Sequence, residues 1–338
     1  MVDLMLMFSS CLIVGLTSIL IKMGTTIKYE DIDVRHPKLF VNVFCHQYIL
    51  DPLITFFIVL AFRPPITQVC GMFILTVTPA TAAASVTAYT VDANVPLTLA
   101  LSMGSLTQSI VFTPLIFSGL MHFYSIYGNI ENNEKISLPY VRMFALMSYV
   151  MILIGIGYKI RQKFSENFVK KLGKFLIRTS IFFMLTAFGL YFASKTYIEP
   201  MTSYNPYKFY GSMFLMIFSQ MLFAHFPIYF PNFNIEAKNK DAVVLATTRR
   251  SPGLSLAITA LSFQSSEDLG EIVAYVLVYG MIRDWSTLPY IMALRKIRLG
   301  RFFYKKKQSE EQPNESINEP IHEPIVCEEG IVTSDNIT

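Results

Sequence analysis

Long apolar runs recur along almost the whole chain, and they leave a polytopic helical membrane protein as the fold class open to it. A bilayer's hydrocarbon core is about 30 Å thick, so a helix needs about 20 mostly apolar residues to cross it. Read by that rule, the sequence has nine candidate spans, at 3–23, 37–62, 67–91, 96–127, 138–160, 175–197, 207–230, 240–263 and 269–294. The runs are too long for barrel strands and do not alternate with a period of two. Composition agrees: charged residues are 15% of the chain, against about 25% in a soluble domain. Four scattered cysteines, Cys11, Cys45, Cys70 and Cys327, exclude a disulfide scaffold. The first run lacks a basic leading segment and a small-residue cleavage site, so a cleaved signal peptide is not expected.

Basic residues supply an orientation. Counted over nine spans, 20 of the 28 Lys and Arg fall in loops and tail on one side and 4 on the other. The positive-inside rule then sets the N-terminus outside and the tail in the cytoplasm, in what is expected to be the plasma membrane. The segment at 161–174 (RQKFSENFVKKLGK) reads equally as a short helix on the inner lipid surface or as a plain basic loop. From 307 to 338 the chain turns acidic, polar and Pro-containing, and is expected to be disordered. The basic run before it (RKIRLGRFFYKKK) directly follows a span, so lipid headgroups rather than nucleic acid are its expected partner.

Two of the spans are broken. One carries Pro79 among Thr76, Thr78, Thr81, Ser85 and Thr87; the other carries Arg249-Arg250-Ser251-Pro252-Gly253. A proline inside a helix removes a hydrogen bond and frees a carbonyl. In lipid such groups must be buried in protein or line a wet cavity. Each break follows a span with a glutamine shortly before a proline: Gln47 before Pro52, and Gln220 before Pro227. Interrupted spans in matching positions point to an inverted-repeat transporter with two crossing broken helices, although either break alone reads as a simple kink. A cation near a helix centre costs about 2.5–3.5 kcal/mol. Arg249 and Arg250 therefore need a partner, a cavity or a solute, unless the span is shifted and both snorkel. Asp51 and Asp92 are candidate partners, with Gln47 and Asp51 on one helical face. Arg283 reads as a structural partner of Asp284 or as a snorkelling residue, and His225 as packing. No nucleotide-binding loop, HExxH or CxxC is present, so neither an ATP-driven pump nor an enzyme is indicated, and no cofactor is expected.

With these residues in view, the chain resembles the bile acid:sodium symporter family over roughly 15–295. LIKMGTTIKYEDI is similar to the family's Met-Gly stretch, and HPKLFVNVFCHQYILDPLITFFI to its Pro…Gln…Pro-Leu helix, with Gln47 and Pro52 in place. TPATAAASVTAYTVDANVPLTLALSM is similar to the Pro-Gly-Gly…Ser-Asn stretch, and ALSFQSSEDLGEIVAYVLVYG to the segment after the second crossing helix. The resemblance implies secondary active transport of an organic anion. It also implies a panel (1–23 and 138–197) and a core (37–127 and 207–294) within a transmembrane domain ending near 306, with the solute bound between them. Two departures stand out. The family's Gly-Gly is Ala80-Thr81 here, and its Glu-x-Gly-x-Gln-Asn falls on Ala246, Arg250 and Ser251. A guanidinium offers sodium no oxygen. Arg250 is therefore expected in the space of a sodium ion, making transport sodium-independent or proton-linked. The candidate solute or ion site comprises Gln47, Thr78, Thr81, Ser85, Thr247, Thr248, Arg249, Arg250 and Ser251. The alternative is a membrane receptor or scaffold that kept the fold and transports nothing.

Overall fold

A computed structural model describes residues 2–27, 37–80, 83–128, 140–194, 206–225, 236–263 and 268–283, together with 286, 289 and 293. Thr81, Asp284 and the tail from 307 lie outside the described residues. Residues Met1–Ile291 form one compact unit. It is all-helical: α1 (Val2–Thr26), α2 (Pro37–Cys45), a π turn (His46–Leu50), α3 (Asp51–Phe62), α4 (Ile66–Val77), α5 (Ala83–Thr90), α6 (Val95–Tyr127), α7 (Tyr140–Lys163), α8 (Glu166–Ser194), α9 (Pro206–His225), α10 (Ala237–Thr248) and α11 (Pro252–Ser262). A further helical stretch covers 269–283.

The expected count of nine membrane-spanning helices is wrong. Among the described residues five helices are long and apolar enough to cross a membrane: Leu6–Thr26, Pro37–Phe62, Val95–Tyr127, Tyr140–Lys163 and Glu166–Ala193. The runs at 67–91 and 240–263 each resolve into two short helices. At 1.5 Å per residue, a 12-residue helix such as α4 or α10 covers about 18 Å, short of a bilayer core. Helix α9 is diluted by Lys208, Ser212, Ser219 and Gln220, and 269–283 is too short. The charge bias was counted over nine crossings, so the orientation drawn from it does not carry over. The molecule is a multi-pass integral membrane protein nonetheless. Its outward faces carry large exposed apolar side chains, such as Phe57, Leu115, Ile152, Phe182 and Phe218, of the kind that lipid covers.

Helix α1 packs along α7 and α8. Its crossing with α7 is close because Gly24 and Gly157 face each other: a Cβ on Gly24 would strike the Ile154 carbonyl, and one on Gly157 the Ile21 carbonyl. Small residues that let backbones approach are the usual device for helix pairing in lipid. The α1 C-terminus is closed by Arg161, whose Nη1 donates to the Thr25 carbonyl at 2.8 Å. Between α7 and α8 only residues 164 and 165 are non-helical, so 161–174 is the end of α7, a two-residue turn and the start of α8, and neither a separate surface helix nor an open loop.

Three prolines shape the rest. Pro52 cannot donate to a helical carbonyl, and the preceding turn widens: the Asp51 N–H bonds to His46 O, five residues back. Pro79 forces Thr78 into an extended conformation and ends α4. Pro252 does the same to Ser251, whose Oγ then accepts the Leu254 N–H at 3.1 Å and caps α11. Helix α5 closes at Asp92, in the left-handed region at φ 57, with the Ala93 N–H returning to Ala88 O at 2.9 Å. The two broken segments lie across each other. Helix α4 packs on α11, and α5 on α10. Asn94 Nδ2 bonds Asn239 Oδ1 at 2.8 Å, and Lys238 pairs with Asp92 at 3.0 Å, tying the α5 end to the α10 start.

Candidate functional site

The breaks meet backbone to backbone, in an isolated antiparallel bridge between Ala80 and Arg250. Around it lies a buried polar cluster. Arg249 folds the chain back with φ −86 and ψ 81, close to an inverse γ-turn, and the Arg250 N–H reaches Thr248 O at 3.2 Å. That turn sends the Arg250 side chain inward to the C-terminal end of α4. Its Nη1 donates to the Thr78 carbonyl at 3.4 Å, and its Nη2 pairs with Asp51 Oδ2. A cation is favoured at a helix C-terminus, where carbonyls lack helical partners. The neighbouring Val77 carbonyl accepts from Thr113 Oγ1 at 2.8 Å.

The carboxylate comes from the other side of the π turn. In an ordinary helix Gln47 and Asp51 would share a face. The wider turn instead brings His46 beside Asp51, with Nδ1 3.3 Å from Oδ1, both fully enclosed. Gln47 stays in the cluster by another route. Its Oε1 accepts from Ser105 Oγ, which in turn accepts the Ala80 N–H at 3.3 Å. Tyr48 donates to Ser105 O at 3.2 Å. Ser255, one turn into α11, donates to Thr78 Oγ1 at 2.9 Å and so ties the second break to the first.

Of the residues expected at the site, Gln47, Thr78 and Arg250 converge, and Ser251 acts as the helix cap beside them. Thr247 and Thr248 are buried, but their hydroxyls donate to the Val243 and Val244 carbonyls of their own helix. Ser85 is half-buried along α5, Arg249 is half-buried at the turn, and Thr81 is outside the described residues. Sequence reasoning gave no role to His46, Ser105, Thr113 or Ser255. The signal for His46 was the proline six residues on, since Pro52 is what widens the turn.

A second buried polar cluster joins the 269–283 stretch to α9. Arg283 neither snorkels nor sits at the surface. It is buried, with Nη1 on Tyr279 Oη at 2.7 Å and on Gln220 Oε1 at 3.3 Å. Gln47 and Gln220, set in matching positions by the sequence, are thus both buried acceptors. Arg283 is repelled by Arg250 and Arg249 and attracted by Asp51, so it belongs to the same electrostatic neighbourhood.

The oxygens at the junction do not suit sodium. Thr78 O and Asp51 Oδ2, the carbonyl and carboxylate such an ion would seek, both face the Arg250 guanidinium. A further cation there would leave buried charge uncompensated. Among the described residues no group of three or more His, Cys, Asp or Glu is placed to hold a metal ion.

Residues 13–198 match the family model described as "Sodium Bile acid symporter family". The matched stretch takes in most of α1, the π turn, the first break, α6, α7 and α8, and stops before the second break. No curated protein matches the chain.

Proposed function

The chain belongs to the sodium bile acid symporter family, a family of transporters and not of enzymes, and from that premise we propose that it carries an organic anion across its membrane by alternating access without sodium. The observation that supports this reading most is the Arg250–Asp51 pair at the meeting of the two breaks. In a sodium-coupled carrier a mobile cation would hold the freed carbonyl and the carboxylate together, and would leave with the solute. Here a covalently tethered cation takes that place.

An anion fits the charge. The Arg250 and Arg249 guanidinium groups both act on that of Arg283, and a gathering of cations of this kind suits a carboxylate or sulfonate better than a cation. Half-buried Arg249 is the group of the three placed nearest to water. Alternating access would consist of the crossed short helices moving against the bundle of α1, α7 and α8, on which α11 already rests.

Uptake of a panel of labelled organic anions into proteoliposomes holding the full chain tests the proposal. At least one anion should enter, and Arg250→Ala should abolish or redirect that uptake. Uptake that is fully sodium-dependent and unchanged in Arg250→Ala would refute it.

A further inference from the structure

We propose that the corner where α1 and α7 end and α8 begins binds the headgroup of an anionic phospholipid. This site is apart from the two breaks and stands whether or not the chain carries a solute. Its centre is Lys22, one turn from the α1 C-terminus. The side chain is half-buried and lies along the α8 backbone at Gly173, where a Cβ would stand 3.0 Å from Lys22 Cε and 3.4 Å from its Nζ. The Arg161 charge acts on Lys22. Arg161 is itself held at the corner by the Thr25 carbonyl. Among the described residues no carboxylate pairs with either cation. Two cations kept close in a partly enclosed place, without a counter-ion, favour an anion between them, and a phosphate takes charge-assisted bonds from both.

The surroundings repeat the bias. From Lys159 to Arg178 the chain has seven Lys and Arg and one acid, Glu166, which Lys170 already holds at 3.1 Å. Lys170 and Lys174 fall on the flank of α8 next to Gly173, and Ile177 and Ile181 continue the same strip. All four are exposed. The strip covers about 16 Å of helix, close to half the thickness of a hydrocarbon core. It therefore offers cations to a headgroup and apolar side chains to the acyl chain beneath it.

A lipid fits this corner better than a soluble anion. Helix α8 is the least enclosed of the five spans, with 22% of its apolar window buried against 39–50% in the others. Beside the strip it also exposes Phe175, Phe182 and Leu185. At the turn into α8 the rings of Phe164 and Phe168 lie 4.8 Å apart, both exposed. Aromatic rings collect at the boundary between membrane and water, so the neighbouring cations stand at headgroup height. One basic side chain near an anionic membrane surface strengthens binding about fivefold.

The test is native mass spectrometry of the full chain in detergent, titrated with phosphatidylglycerol or with phosphatidylcholine of the same acyl chains. Phosphatidylglycerol should bind about tenfold more tightly or better. Lys22→Gln and Lys174→Gln should each weaken its binding about fivefold, and Lys208→Gln on α9 should leave it unchanged. Glycerophosphoglycerol, the same headgroup without chains, should not compete at the lipid's concentration. Equal binding of the two lipids, as a corner filled by the chain's own acidic tail would give, overturns the proposal. So does competition by the free headgroup, which would mark a site for soluble anions, or a loss in Lys208→Gln as large as in the two corner variants. The wild-type comparison of the two lipids decides alone should Lys22→Gln fail to fold.

Discussion

Replacing Asp51 with Asn removes the charge that compensates Arg250 while nearly keeping the side chain's shape. Asp51 is 0% and Arg250 2% exposed, so water cannot substitute for the lost carboxylate. Breaking a buried ion pair from one side costs about 3–5 kcal/mol, because the remaining charge stays buried and unpaired. Arg250→Gln should cost a similar amount by stranding Asp51. The double variant leaves two neutral amides that can bond each other, and it should return to within about 1–2 kcal/mol of the wild type. A shift of 1 kcal/mol moves the melting temperature by about 2–4 °C in a domain of 150–250 residues, and by less in a longer chain. Each single variant should therefore melt roughly 5–10 °C low, and the double variant only a few degrees low. Thermal unfolding in detergent, followed by size exclusion and tryptophan-independent dye fluorescence, reads all four proteins. The double variant should fold without transporting. Single variants that melt with the wild type, or losses that simply add in the double variant, would refute a buried pair at the junction.

Other sites give sharper local expectations. Gly24→Val and Gly157→Val each drive a side chain into the facing helix's carbonyl and should destabilise by about 1–3 kcal/mol, read as a lowered melting temperature. Ser251→Ala removes the α11 cap and should cost about 1 kcal/mol by the same measurement. Asp92→Gly loses an exposed ion pair worth no more than about 1 kcal/mol but relieves a left-handed residue, so stability should stay within about 1 kcal/mol of wild type. Asp92→Ala keeps the strain and loses the pair, and should melt lower than Asp92→Gly.

The prolines were the legible part of this molecule. Pro79 and Pro252 announced both breaks, and the cost of a cation in lipid announced that Arg250 must have a partner. Asp51 was visible as one candidate for that partner. Nothing in the sequence selected it, because the choice depends on two distant segments crossing at a set depth. The closeness of His46 to Asp51 was hidden by the assumption of a regular 3.6-residue period, which Pro52 breaks by opening a π turn. The span count failed for a related reason. A hydropathy run is continuous through a break that the backbone is not, so two half-helices at 67–91 and two at 240–263 were each read as one crossing. Ser105 and Ser255 had no signal, since a serine on an apolar helix gives no hint of which backbone group it will meet.

The claim that a tethered guanidinium has replaced sodium is tested most directly by the initial rate of taurocholate uptake into proteoliposomes at one fixed pH, first in sodium medium and then in choline medium. Equal rates are expected. A rate that rises steeply and saturably with sodium would contradict it.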